Sequence, residues 1–207
     1  MPRQTFFNLS KEKRDRVIDV ALSEFAYKPY EKVNVTDIIK KSNIARGSFY
    51  QYFEGLDDLY NYLINHGSEI KQKYVNKHLE GHHLTSMKDF LTVVFKAGLE
   101  YAKYHPEYTR MFSLMIRDNS SSDVVSKELS ERLKLSEQIY IDLIKQFNAL
   151  PNADKEELKF TAHLLTKINV IFIDYYLDNL IGENVIDRNE LSNQFIDKLF
   201  NGFLEDK

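Results

Sequence analysis

An all-α chain of about nine helices is the fold class that three observations predict. The 207 residues contain only 7 Gly and 4 Pro, too few punctuators for a many-turned β protein. No convincing period-2 alternation of apolar and polar residues occurs, whereas apolar residues recur again and again at helical spacing. Most of those runs begin just behind a residue suited to capping a helix. With 43% hydrophobic and 29% charged residues the chain is globular, and its length fits one elongated domain or a small domain joined to a larger one. No internal repeat or long low-complexity tract interrupts it.

Taken in order, Ser10 precedes Val17, Ile18, Ala21, Leu22 and Phe25, one apolar helical face, which predicts a helix over 11–27. Pro29 forbids its continuation. Asn34 opens a second helix ending near Ser42, with Asp37 placed to return a bond to the cap. Asn43 suits a left-handed turn, Ile44 plugs the angle, and a third helix covers about 46–52. Gly55 followed by Asp57 and Asp58 opens a fourth, about 57–74, with Leu59, Leu63 and Ile70 on its face. Further starts are Ser86 with Asp89, Pro106, the serines 120–122, Asp154 with Glu157, and Asp187 with Glu190. They predict helices over about 87–104, 106–117, 122–149, 155–181 and 190–204, with Gly182 as a stop.

The net charge of −3 conceals an asymmetry: residues 1–53 carry ten Lys and Arg against six acids, a balance of +4, and the remainder is −7. A basic head on an acidic body suits a chain that neutralises phosphates on one surface only. The absence of cysteine removes disulfides, thiolate metal sites and thiol nucleophiles. With no apolar leader or long apolar run, a soluble cytoplasmic protein without membrane contact is expected. No phosphate loop, nucleophile elbow or paired catalytic carboxylate is visible, so no enzyme and no cofactor are expected. His78 and His82 stand four apart with Glu80 and His83 nearby, but Gly81 predicts a loop there, and no metal site is assigned.

Two short helices around a three-residue turn form a helix-turn-helix, whose second helix can enter a major groove. Packing alone could produce such a corner. The composition points further, because Phe49 and Phe53 share a core face while Arg46, Gly47, Ser48, Tyr50, Gln51 and Tyr52 fill the rest of the circumference. Gly47 costs about 1 kcal/mol relative to Ala within a helix, which is intelligible if a sugar-phosphate strand approaches the backbone there.

The stretch Val35-Thr36-Asp37-Ile38-Ile39-Lys40-Lys41-Ser42-Asn43-Ile44-Ala45-Arg46-Gly47-Ser48-Phe49-Tyr50-Gln51-Tyr52-Phe53, followed by Asp57-Asp58-Leu59, resembles the DNA-binding signature of the TetR-type (TetR/AcrR) bacterial transcriptional regulators. The leader Phe7-Asn8-Leu9-Ser10-Lys11-Glu12-Lys13-Arg14 is similar too, and the likeness covers about residues 7–64. The resemblance implies a helix-turn-helix domain over 1–55 and an effector-binding, dimerising body over 56–207. It implies a homodimer on a palindromic double-stranded operator, most often a repressor released by a small molecule. The alternative reading is a helical carrier or adaptor without DNA binding.

By the same resemblance, Thr36 reaches a base edge or phosphate and Asn34 caps its helix near the backbone. Arg46 reads a base, Ser48 and Gln51 touch bases or phosphates, and Tyr50 and Tyr52 clamp the strand. Two positions depart from the pattern: Ala45 stands where a Ser or Thr cap is usual, and Leu56 where a Lys often touches phosphate. Affinity then leans on Lys40, Lys41 or the first-helix basics.

For the body, the family implies that the last two long helices pair as a four-helix interface. Leu191, Phe195, Leu199 and Phe203 at i+4 spacing, with Ile168 and Phe172 on the helix before, are the expected interface residues. Aromatic residues recur through the body and suit a pocket for an apolar or aromatic effector. Tyr104, Phe112, His163, Thr166, Asn169 and Phe172 are its candidate lining, although each is as readily a packed core residue.

Overall fold

Capping and apolar periodicity set the helices of the structure, a computed structural model that describes residues 1–117, 122–179 and 188–203. In order these are α1 (Gln4–Phe7), α2 (Lys11–Tyr27), a single 3-10 turn (Tyr30–Lys32), α3 (Val35–Ser42), α4 (Arg46–Tyr52), α5 (Leu56–Leu79), α6 (Met87–Tyr104), α7 (Pro106–Arg117), α8 (Asp123–Gln146), α9 (Lys155–Asn179) and α10 (Arg188–Phe203). No strand occurs among the described residues. The chain is all-helical as expected, with α1 as a helix that the pattern did not announce. None of the described helices is long and apolar enough to cross a membrane.

The caps explain most boundaries. Ser10 accepts from the Lys13 amide, and Asn34 accepts from the Thr36 amide at 2.7 Å. The reciprocal bond expected from Asp37 does not form, so α3 carries a single side-chain cap. At Ser86 the full box closes: its Oγ accepts from the Asp89 amide and Asp89 accepts from the Ser86 amide, both at 3.1 Å. Asp154 accepts from the Glu156 and Glu157 amides at 2.9 Å. Ser120, Ser121, Gly182 and Asp187 lie outside the described residues.

Two boundaries differ from expectation. Helix α5 continues past 74 to Leu79, because nothing in 75–79 opposes it, and Gly81 at φ +76 lies just beyond its end. Helix α8 closes at Gln146 because Asn148 takes a left-handed φ of 51 and the Ala149 amide returns to the Ile144 carbonyl.

The contacts divide the chain into two compact units, Met1–Glu69 with Glu107–Leu129, and Ile70–Pro106 with Ser130–Lys207. The division does not follow a single cut after residue 55: the first half of α5 and all of α7 pack with the N-terminal helices. In the first unit Phe6, Val17, Ala21, Phe25, Ile38, Phe49, Phe53, Leu59 and Leu63 form the interior. In the second, α6 lies against α9 and α10, with Phe95, Phe172 and Phe195 in mutual contact at centroid distances of 4.3–5.3 Å.

Candidate nucleic-acid interface

The corner between α3 and α4 is built by one residue with positive φ. Asn43 adopts φ 54 and ψ 49, its amide donates to the Lys40 carbonyl, and the Ile44 amide donates to the Ile39 carbonyl. The chain then turns through Ala45, in extended geometry and without a side-chain cap, into α4. Phe49 and Phe53 have no accessible surface and anchor that helix against the core.

With those two phenylalanines inward, the opposite face of α4 is fixed. Arg46, Gly47, Tyr50 and Gln51 are exposed, and so are Asn34, Thr36 and Lys40 on the preceding helix and its cap. Tyr50 keeps 41% of its surface in solvent, resting one ring edge on Phe49. A Cβ added at Gly47 would meet nothing within 4 Å, so no packing inside the protein demands glycine there. Ser48 and Tyr52 are half-buried; the Tyr52 ring leans on Phe6 at 6.2 Å. All nine residues expected at a DNA surface therefore retain solvent access, Ser48 and Tyr52 least.

The basic residues divide by what they touch. Lys41 of α3 and Lys28 both donate to Glu24, a carboxylate only 3% exposed on α2. Those two bonds, Lys28 first, hold the Glu24 carboxyl below the ordinary range despite its burial, and they raise the Lys41 ammonium in turn. Lys41 is therefore a tie between α2 and α3, its ammonium engaged by Glu24 in the free protein. Lys11 and Arg16 sit in exposed i, i+4 pairs with Asp15 and Glu12, interactions weak enough to yield to a phosphate. Among the described residues, the side chains of Lys40 and Arg46 make no ion pair or hydrogen bond, and both residues are exposed.

Sequence reasoning missed the segment before α2. Arg3 donates its amide to the Tyr52 carbonyl at 2.8 Å, and the Thr5 hydroxyl donates to the Gln51 carbonyl. The end of α4 is thus capped from outside the motif. Phe6, buried against Phe53 at 4.8 Å and Tyr62 at 5.3 Å, was a legible anchor: a Phe-Phe pair just ahead of a helix cap is an apolar plug.

The effector candidates scatter. Tyr104 is mostly exposed with Lys103 over its ring, and Phe112 belongs to the first unit, beside Gly67. His163 points to solvent and pairs with Glu137 at 2.7 Å, so it does not share a side with Thr166 and Asn169, which are buried. Thr166 is satisfied by the Ala162 carbonyl at 2.9 Å, and Phe172 packs in the core. Asn169 is buried, with 7% of its surface exposed.

Of the expected interface residues, Phe172 and Leu199 are buried within their own unit and stabilise it, while Ile168 and Phe195 are partly covered. The side chains of Leu191 and Phe203 lie outside the described residues. His78, in the last turn of α5, lies 2.5 Å from Glu100, whereas His82 and His83 follow the helix end. Among the described residues no group of three or more His, Asp or Glu could hold a metal ion.

These features define a helix-turn-helix, two short helices about the Asn43 turn with a polar outer face on the second. Residues 17–63 match the family described as bacterial regulatory proteins, tetR family. It is 30% identical over 96 residues to the uncharacterized HTH-type transcriptional regulator YuxN of Bacillus subtilis, covering 45% of this chain and 33% of the relative. It is 23% identical over 148 residues to the biofilm operon icaADBC HTH-type negative transcriptional regulator IcaR of Staphylococcus epidermidis, covering 70% and 75%. A TetR family regulator from Chloroflexus aurantiacus superposes with a TM-score of 0.77 at 24% identity over all of both chains. The regulator FadR of Bacillus subtilis, solved with stearoyl-CoA, superposes with a TM-score of 0.67 at 17% identity, over 91% and 98%. The fold is that of the TetR-type regulators.

Proposed function

We propose that this chain is a sequence-specific DNA-binding transcriptional regulator, acting in the cytoplasm as a repressor that a small molecule releases from its operator. One observation carries the reading: Arg46, Gly47, Tyr50 and Gln51 stand in solvent on a helix whose only buried anchors are Phe49 and Phe53. A helix so furnished offers a guanidinium for guanine, an amide for adenine and a phenol for phosphate. Functionally, residues 1–55 are the DNA reader and 56–207 the effector and dimer body.

As a homodimer the protein presents two recognition helices to half-sites about one turn apart. An apolar stripe on α9 supports that assembly. Ile171 is 66% and Tyr175 55% exposed, and Phe160 falls on the same helical face. That stripe, with Ile168 on the same helix, replaces the buried Phe172 and Leu199 as the proposed contact surface.

The effector is an apolar or aromatic molecule with a polar tip. Support comes from the buried Asn169 amide and from the stearoyl-CoA bound by the FadR relative. The test is selection of duplexes from random DNA with the purified protein, repeated with acyl-CoA esters and with free aromatic acids. Recovery of a palindromic site, lost on adding one of these ligands, is expected. A chain that binds ligand but retains no duplex at any ionic strength is a carrier, and the proposal fails.

A further inference from the structure

The segment before α2 carries a cation whose position the recognition helix itself dictates. Arg3 is held by its backbone, since its amide donates to Tyr52, the last residue of α4, and the Thr5 hydroxyl donates to the neighbouring Gln51 carbonyl. The arm cannot swing away cheaply, because Phe6 has no accessible surface and contacts Phe53, Tyr62 and Tyr52. Wherever α4 goes, Arg3 goes with it.

The side chain, in contrast, is uncommitted. Arg3 is exposed and makes no side-chain hydrogen bond or ion pair with the described residues; the Gln4 amide beside it bonds only to Asn8. Of the ten cations in residues 1–53, Lys11, Arg16, Lys28 and Lys41 are ion-paired, and Arg14 donates to the Phe7 carbonyl. Using Arg3 on a phosphate therefore breaks nothing.

Dimensions say where it would land. Seven residues make α4 about 10 Å long, and the major groove of B-DNA is about 12 Å wide. A helix of that length, laid with its exposed face on base edges, ends at the groove wall, and the wall is sugar-phosphate backbone. We propose that Arg3, fixed to the C-terminal end of α4, is a phosphate anchor that sets the depth and register of the recognition helix in the groove. This rests on the DNA-binding reading above.

The experiment measures affinity of the full-length protein for a selected duplex and a scrambled one across a range of salt concentrations. Arg3→Gln keeps the backbone donor and removes only the charge. It is expected to lose about three- to tenfold in affinity on both duplexes and to lower the slope of log affinity against log salt by about 0.9. Arg3→Lys restores most of the slope, and Lys159→Gln, an equal loss of charge on α9, leaves slope and affinity unchanged. An unaltered slope in Arg3→Gln, with wild-type binding intact, overturns the inference while the DNA-binding reading stands. Absence of salt-dependent retention in the unsubstituted protein overturns both.

Discussion

Replacing Gly47 by alanine separates the cost of glycine to the fold from its value to a ligand, because the two effects have opposite signs. Gly47 is the second residue of α4, in ordinary helical geometry, and a methyl group there would meet nothing within 4 Å. Relative to alanine, a glycine inside a helix costs about 0.5–1 kcal/mol, largely because its unfolded chain has more conformations to lose. Gly47→Ala is therefore expected to stabilise the free protein by about 0.5–1 kcal/mol. On the proposed DNA-binding reading, the same methyl projects from the face assigned to the duplex. If the α4 backbone lies against a sugar-phosphate strand, there is no room for it, and about 1.4 kcal/mol of lost contact is a tenfold loss of affinity. The paired assays are urea unfolding without DNA and fluorescence anisotropy of a labelled selected duplex. A variant that is more stable and also binds as tightly as the parent would refute the argument that glycine is kept at 47 for close approach.

Other substitutions test the remaining links. Arg46→Ala is expected to relax discrimination at one base pair by about 1–3 kcal/mol, whereas Tyr50→Phe weakens selected and scrambled duplexes alike; equal losses from both variants on both duplexes contradict the assigned roles. Glu24→Gln removes the carboxylate that ties Lys41 to α2, and a loss of about 1–2 kcal/mol in urea unfolding is expected. Because the Glu24 carboxyl is held below its ordinary value, its stabilisation is complete above that value and fades as pH falls through the folded-state value. Unfolding midpoints compared from neutral pH down to the acid range should therefore fall less steeply in Glu24→Gln than in the parent. Gly67→Ala, unlike the change at 47, places its Cβ 2.5 Å from the Tyr108 ring and 3.1 Å from Phe112. The ring must shift away from His66, to which its hydroxyl is bonded at 2.6 Å, and a cost of about 1–3 kcal/mol is expected in a thermal melt; an unchanged melt would show that the α5–α7 contact relaxes freely.

Most of the local structure was legible because it is set by short-range rules. Ser10, Asn34 and Ser86 cap their helices wherever the rest of the chain goes, and Asn43 is among the few residues that tolerate the left-handed turn of the motif. The outward face of α4 was legible for a related reason: once Phe49 and Phe53 are inward, the helical period leaves Arg46, Gly47, Tyr50 and Gln51 nowhere else to point. Periodicity was weaker in the body. His163, Thr166 and Asn169 share a spacing, yet only packing against α8 decided that the histidine turns outward to Glu137 while the other two are buried.

The sequence by itself determined the helical class, nearly every boundary in the first 60 residues and the outward face of α4, since these depend on neighbours within four or five positions. Only the tertiary structure decided that Lys41 answers to a buried carboxylate, that Phe172 and Leu199 fill their own unit's core, and that the chain before α2 closes the end of α4. Those outcomes pair residues between 17 and about 100 positions apart, and no local pattern encodes which distant group a long side chain or an apolar face will meet.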